Sequence, residues 1–212
     1  MTNGGNAMKI ITLSREFGSG GREVGKRLAD VLNIAYYDKE IIMALAEETK
    51  LDEKYVEHTI ENSAATHNYP LTFSRTLTLP YNMTNTAELL GKQHKIIRRI
   101  ASQGDCIIVG RSADAILDDM NPFKLFIYAD LKAKIARCRD RASENEQMTD
   151  REYEKQMKRI DKARAYNHDF VADRDWGDMR NYNLCVNTTG VEIKKIIPQI
   201  ADFINNWYSR QA

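Results

Sequence analysis

The feature that most constrains this chain is a run of glycines between an apolar stretch and an amphipathic one. Residues 9–14 (KIITLS) are rich in β-branched side chains and predict a buried strand. Residues 17–21 (FGSGG) interrupt that strand with three glycines. Beyond them, apolar residues recur at helical spacing, namely Val24, Leu28, Val31 and Leu32. The sequence therefore predicts a strand, a glycine loop and a helix in direct succession.

A loop of this composition suits an anion. Glycines adopt positive φ and let main-chain amides approach a phosphate without an intervening Cβ atom. The helix that follows points its unpaired N–H groups at the same place. The predicted nucleotide-binding residues of this loop are Gly18, Ser19, Gly20, Gly21, Arg22 and Glu23. The alternative is a tight strand–helix turn that binds no ligand.

The loop departs from the phosphate-binding pattern GxxxxGK[ST] at three positions. Glu16 stands at the first glycine, Arg22 replaces the lysine, and Glu23 replaces the hydroxyl residue that would hold Mg²⁺. Arginine keeps the charge of lysine but binds phosphate through a planar fork rather than as a point charge. We therefore expect an altered donor site in which the protein ligand of a Mg²⁺ ion is undefined.

The rest of the chain alternates apolar strands with helical segments. Further strands are predicted at 34–38, 104–110, 123–129 and 183–187, and helices lie between them. The charged residues 143–168 also read as helical, whereas 50–84 contain two prolines and predict an insert. This alternation predicts an α/β fold with a five-stranded parallel sheet and helices on both faces. In such a sheet, ligands bind beyond the carboxyl ends of the strands.

Composition narrows the class of partner. The 212 residues include 31 basic and 30 acidic side chains, a near balance that argues against a nucleic-acid binder. No apolar stretch approaches the roughly 20 residues of a membrane span. Three widely spaced cysteines and four dispersed histidines predict neither a disulfide framework nor a metal site. We expect a cytoplasmic protein that binds small molecules. The composition does not indicate an oligomeric state.

Several segments, taken together, resemble the cytidylate-kinase-like family of P-loop proteins. From residue 9 to residue 189 they read, in order, ITLSREFGSGGREVGKRLA, YYDKE, IIVGRSA, KLFIYA, MKRIDKAR and YNLCVNTT. The resemblance implies a three-layer P-loop NTPase fold with a five-stranded parallel sheet. It also implies one kinase-like domain over 9–212 after a flexible 1–8. Within it, 50–84 would be the acceptor-binding insert and 131–168 a helical lid.

The resemblance also implies an activity: transfer of the γ-phosphoryl group of ATP to a nucleoside monophosphate, most simply CMP or dCMP, with Mg²⁺. Arg22, Arg159 and Arg164 would be catalytic. Asp38, Arg111 and Asp161 would bind the acceptor. The lid pattern R-x-x-D-x-x-R fits only in part, because Lys158 rather than Arg159 stands three residues before Asp161. Which of the two serves stays open.

Two of these assignments have plain alternatives. Asp38 is also placed to N-cap the helix predicted from Lys39. Arg137 and Arg141 share a helix stripe with Lys134, so they either reach the donor nucleotide or form a solvated surface.

Two other functions remain possible on the same fold. One is a kinase of another small metabolite, and the other is a non-catalytic nucleotide sensor. Glu23 favours the sensor, whereas the arginines at 111, 159 and 164 oppose it, because a decayed site has no need of them.

Overall fold

The structure is a computed structural model that describes residues 8–61, 81–143 and 146–211. Five parallel strands form its centre. Most of the predicted flexible N-terminus and the middle of the predicted insert, 62–80, lie outside these ranges. The strands are β1 (Ile10–Arg15), β2 (Ala35–Tyr37), β3 (Cys106–Val109), β4 (Phe123–Tyr128) and β5 (Leu184–Asn187). Their order is β2-β3-β1-β4-β5, so β1 lies at the centre and pairs with both β3 and β4.

Helices connect these strands. They are α1 (Gly21–Leu32), α2 (Glu40–Thr49), α3 (Glu53–Glu61), α4 (Tyr81–Ala101), α5 (Ala113–Ile116), α6 (Leu131–Arg141), α7 (Asp150–Asp169) and α8 (Ile193–Ser209). None of the helices in the described ranges is long and apolar enough to cross a bilayer.

The sheet separates two apolar cores. Along β1, Ile11 and Leu13 pack against α1 and α8, whereas Ile10 faces α2 and α4. Strand β3 alternates in the same way, because successive side chains of a strand point to opposite faces. Helices therefore cover both faces, and the three-layer α/β prediction is confirmed.

The predicted elements are confirmed in position and type, with three differences. Helix α4 begins at Tyr81, several residues before the predicted start at 86. Helix α7 begins at Asp150 rather than 143, because Thr149 and Glu152 form a capping box there.

The third difference concerns the buried face of α1, where the prediction for Val31 is wrong. That side chain is 56% exposed. The buried stripe of the helix includes Gly25 and Ala29 beside Val24 and Leu28. With these small residues included, the centre of the buried stripe lies roughly a quarter turn from Val31.

Phe123 provides a test of the core on the α8 side. Its side chain is fully buried and contacts Trp207 edge-to-face at 5.4 Å between ring centroids. We expect Phe123→Ala to lower the free energy of unfolding by about 3–5 kcal/mol in urea titrations. Phe203→Ala, at a half-exposed ring that also contacts Phe123, is the matched control and should cost much less. Equal losses in the two variants would contradict this packing.

Candidate functional site

The parallel sheet brings polar side chains from several strands to one edge, the one formed by the carboxyl ends of the strands. Arg15 ends β1, Asp38 follows β2, Arg111 follows β3 and Thr188 follows β5. Because the strands run in the same direction, their carboxyl ends lie side by side. The glycine loop, residues 16–20, lies at the centre of this edge.

The glycine loop leaves the first turn of α1 without a cap. Gly18 and Gly20 have φ of 77° and 84°, in the left-handed region that favours glycine. The first bond into the helix runs from the Val24 amide to the Gly20 carbonyl at 3.0 Å, and no side chain caps the N-terminus. The first turn of a helix carries amides without a partner inside the helix, and here no side chain caps them. The anion site predicted at this position stays a prediction.

The missing Cβ atoms make room for protein side chains as well. A Cβ on Gly18 would lie 3.1 Å from both Cys138 Sγ and Lys134 Cβ. A Cβ on Gly20 would lie 2.4 Å from the Ile193 side chain. The glycines therefore let α6 and the start of α8 pack directly on the loop, a role that the sequence analysis did not anticipate.

Helix α6 is tied to the loop by charge. Lys134 Nζ donates to the Glu16 carboxylate at 3.0 Å, and the Ala129 amide donates to the same oxygen at 3.3 Å. Arg137 donates to the Ser19 carbonyl at 3.3 Å and to both oxygens of Thr188. Burial is the main cause that lowers the pKa of Arg137.

Glu23 is engaged rather than free to hold a metal. Its carboxylate accepts from Arg27 at 2.9 Å and from Arg141 at 3.0 Å, and the latter contact joins α1 to α6. The Ser19 hydroxyl donates to the Glu16 carbonyl. No group of three or more His, Cys, Asp or Glu side chains that could hold a metal ion occurs in the part of the chain that the structure describes. Because Glu23 already pairs with two arginines, it does not fit as a ligand of Mg²⁺ at this position.

Arg22 contacts Asp38. Its Nε lies 2.7 Å from Asp38 Oδ2, and its side chain is 52% exposed. Asp38 is buried, and Arg15 Nη2 lies 3.7 Å from its other oxygen. The N-cap of α2 is Lys39, with no side-chain capping bond, so the capping alternative for Asp38 is wrong. The carboxylate instead serves two arginines.

A second set of contacts joins α7 to the loop. The Asp161 carboxylate accepts from the Phe17 amide at 2.7 Å and from Arg164 at 3.1 Å. Arg164 also donates to the Arg15 carbonyl at 3.0 Å, and its guanidinium lies 5.8 Å from the centre of the Phe17 ring. Burial raises the pKa of Asp161, although Arg164 opposes this shift. The predicted acceptor residue Asp161 thus contacts the loop itself.

A cavity of about 210 Å³ lies beside the loop, and four arginines line it. We call it the arginine pocket; these residues are Arg15, Arg111, Arg159 and Arg164. Its other walls come from α4 and the second half of α7, and no Asp or Glu of the described ranges lines it. Arginine presents a fork of donors that matches carboxylate and phosphate groups. The lining of the pocket therefore matches the chemistry of an anionic group.

The pocket distinguishes the two candidates of the lid pattern. Arg159 lines it, whereas Lys158 pairs with Glu154 at 2.6 Å on the outer face of α7. Of the predicted residues, Arg111, Arg159 and Arg164 meet in the pocket. Glu23, Arg137 and Arg141 gather at the glycine loop.

Sequence analysis missed Arg15, Asp114 and His168. Arg15 stands directly after the predicted strand KIITLS. Because ligands bind beyond the carboxyl ends of parallel strands, a charged residue at this position could have been predicted as part of a site. Asp114 and His168 are 54 positions apart, and no local spacing connects them. They are joined only by the docking of α7 against α5.

His168 and Asp114 form a buried pair in the wall of the arginine pocket. His168 Nε2 lies 2.8 Å from Asp114 Oδ2, its Nδ1 lies 3.4 Å from Asp169, and both Asp114 and His168 are about 1% exposed. Burial disfavours the charged imidazolium, but the two carboxylates outweigh this effect and raise the pKa of His168. The carboxylates at its two nitrogens thus favour the protonated imidazole.

This pair predicts a pH dependence of stability. A raised pKa in the folded state means that the stabilisation is complete below the unfolded value of about 6.5 and is lost as pH rises through the folded value. We expect the free energy of unfolding to fall over this window in the wild type and to fall less in Asp114→Asn. Urea titrations between about pH 5.5 and 9 measure it. His94→Gln, on the opposite wall, is the control and should follow the wild type. Identical profiles for wild type and Asp114→Asn would refute the charged pair.

The sequence and the structure were both compared with known proteins, and both comparisons lead to kinases or kinase-like proteins. Residues 10–190 match the model of the cytidylate kinase-like family. A crystal structure of an uncharacterized protein from Eubacterium ventriosum is 29% identical, with a TM-score of 0.68 over 94% of this chain and 99% of that chain. No curated protein matches the chain.

More distant structures share the fold alone. Shikimate kinase from Acinetobacter baumannii, solved in complex with shikimate, is 12% identical, with a TM-score of 0.54 over 95% of both chains. A gluconokinase from Sinorhizobium meliloti is 14% identical, with a TM-score of 0.50 over 97% of both chains. With the family match covering most of its length, this chain belongs to the cytidylate kinase-like family and has the P-loop kinase fold.

Proposed function

We propose that this protein is an ATP-dependent phosphotransferase whose acceptor is a small anion, most simply a nucleoside monophosphate such as CMP or dCMP. The observation that carries the proposal is the arginine pocket next to the uncapped N-terminus of α1. Two adjacent anion sites are what phosphoryl transfer needs, because its catalysis consists mainly of positioning and charge neutralisation.

The donor side of the proposal rests on the glycine loop. The free amides of the first turn of α1 would hold the triphosphate, flanked by Gly18, Ser19, Gly20 and Gly21. Arg137 lies between the Ser19 carbonyl and Thr188, at the edge of the same site. Any Mg²⁺ would be carried by the phosphates of the nucleotide, as is usual for this ion, since the described side chains do not form a site for it.

The acceptor side rests on Arg111, Arg159 and Arg164. Their side chains line one cavity, and Arg164 is also held by Asp161. Guanidinium forks match phosphate and carboxylate groups, so this cavity would suit an anionic ligand. A phosphate on the acceptor would contact these arginines and would then lie close to the loop that holds the donor.

A second candidate acceptor is a small metabolite that carries a carboxylate and a hydroxyl group. Two observations favour it. The cavity of about 210 Å³ is smaller than the roughly 300 Å³ at which pockets for drug-sized ligands begin. One of the neighbours in fold is a shikimate kinase that was solved with shikimate. Arginine forks suit a carboxylate as well as a phosphate.

A coupled assay of ADP release tests these candidates. The panel holds the nucleoside monophosphates in one arm and hydroxy acids, including shikimate, in the other. Turnover with a monophosphate supports the first acceptor, and turnover with a hydroxy acid supports the second. Tight binding of a non-hydrolysable ATP analogue with no turnover on any acceptor contradicts the enzyme and favours the sensor.

Arg159 gives the sharpest mutational test of the acceptor site. Arg159→Ala removes a charged donor, an interaction of about 1.5–3 kcal/mol, and should raise the KM for the acceptor roughly ten- to hundred-fold. The KM for ATP should change little. Arg151→Ala removes the same side chain from the exposed first turn of α7 and is the matched control. An equal rise in the KM for the acceptor and in the KM for ATP would contradict the assignment of Arg159 to the acceptor site.

A further inference from the structure

Arg15 lies at the boundary between the glycine loop and the arginine pocket. Its side chain is only 11% exposed, and it lines the pocket at the end of β1. A Cβ on Gly21 would lie 2.5 Å from Arg15 Cβ, so the side chain starts against the first residue of α1. A Cβ on Gly110 would lie 1.8 Å from Arg15 Nη1, so it ends over the turn after β3.

The Arg15 side chain has room at both of its ends because a glycine stands at each position. Either added Cβ would fall below 3.0 Å, closer than van der Waals contact allows. Gly110 also has φ of 71°, a conformation that disfavours any side chain. The backbone at the start of α1 and in the turn after β3 thus leaves room for one arginine side chain, which places its guanidinium where the donor site meets the acceptor site.

Arg15 carries charge that its surroundings do not balance. Burial above all, together with the charges of Arg164, Arg111 and Arg22, lowers the pKa of Arg15 to about 9, against the opposing effect of Asp38. The contact with Asp38 is 3.7 Å, longer than a hydrogen bond, and Asp38 is shared with Arg22 at 2.7 Å. At neutral pH the group stays a cation that an added anion would stabilise.

Arg22, which takes the lysine position of the loop pattern, is placed less well for this role. It is half exposed and directed to Asp38. Arg15 is buried, lies against the loop and opens into the pocket.

We propose that Arg15, rather than Arg22, is the cation that bridges the donor and acceptor anions in the phosphoryl transfer of the proposed function, on which this inference rests. In that step the acceptor oxygen forms a bond to the γ-phosphorus, and the bond to the β–γ bridging oxygen breaks, leaving its electron pair on ADP. A phosphate acceptor loses no proton, and a hydroxyl acceptor releases one. A guanidinium with five donors contacts oxygens on both sides of the transferring group.

The experiment compares Arg15→Gln, Arg15→Lys and Gly110→Ala in the full chain. Loss of one preorganised donor at a transferring group costs roughly 10²–10³-fold in kcat. We expect Arg15→Gln to lower kcat to this extent with smaller changes in either KM, and Arg15→Lys to recover part of it. Arg22→Gln should lower kcat less than Arg15→Gln. A larger kcat loss in Arg22→Gln than in Arg15→Gln overturns the assignment.

Gly110→Ala tests the same site without removing the charge. The added Cβ should displace the guanidinium and lower kcat as Arg15→Gln does. Gly104→Ala is its control, because Gly104 has positive φ, has open space around it and precedes β3 at the opposite edge of the sheet. If a thermal melt shows no unfolding transition for Arg15→Gln, the kcat values of Arg15→Lys and Gly110→Ala test the proposal instead. An unchanged kcat in Gly110→Ala then overturns the proposal.

Binding of inorganic tripolyphosphate, measured by calorimetry, separates this inference from the proposed reaction. This polyanion supplies three linked phosphate groups without a nucleoside or an acceptor. If the wild type turns over no acceptor but Arg15→Gln weakens tripolyphosphate binding at least roughly tenfold, the bridging position stands and the proposed reaction fails. If turnover is found and Arg15→Gln leaves both kcat and tripolyphosphate affinity unchanged, the reaction stands and the role of Arg15 is refuted.

Discussion

The central position of β1 is the constraint on which the rest depends. Because β1 pairs in parallel with both β3 and β4, its carboxyl end lies between the ends of its two neighbours. Arg15 and the glycine loop leave the sheet at that point, and the loop leads at once into α1. A single strand thus delivers both a guanidinium and an uncapped helix N-terminus to the same edge. No comparable geometry is available to an outer strand, where one side would lack a neighbour.

The cost of this arrangement is a concentration of positive charge. Arg15, Arg22, Arg111 and Arg164 lie close enough to affect one another, and the carboxylates beside them are Asp38 and Asp161. Asp38 is buried between two arginines, and Asp161 holds both Arg164 and the Phe17 amide. Asp38 and Asp161 thus hold in place the arginines at the end of β1 and in the arginine pocket.

The sequence was sufficient for the sheet, because five apolar runs with intervening helical periodicity specify a parallel α/β fold. It also predicted Arg111, Arg159 and Arg164, which line the arginine pocket and whose roles stay predictions. It did not identify the pair of Asp114 and His168, because a contact 54 residues apart depends on how α7 docks. Nor did it separate Lys158 from Arg159, since adjacent helical residues differ by roughly 100° in direction and only the packed helix shows which faces the pocket. The insert 62–80 and its predicted role in acceptor binding lie outside the described residues.

The glycine loop joins the two helices of the lid region to the sheet. Glu16 accepts from Lys134 of α6, and the Phe17 amide donates to Asp161 of α7. The Phe17 side chain packs with Ile135, Tyr153 and Met157 in a small core between the same helices. A carboxylate already takes one amide of the loop, whereas the amides at the start of α1 have no capping side chain. An incoming polyanion therefore has its free donors at the helix terminus, and any ligand that also needs the Phe17 amide must first displace Asp161. Displacement would release Arg164, which lines the arginine pocket, from its carboxylate partner, so the two proposed anion sites would be coupled through Asp161 and not only through their proximity.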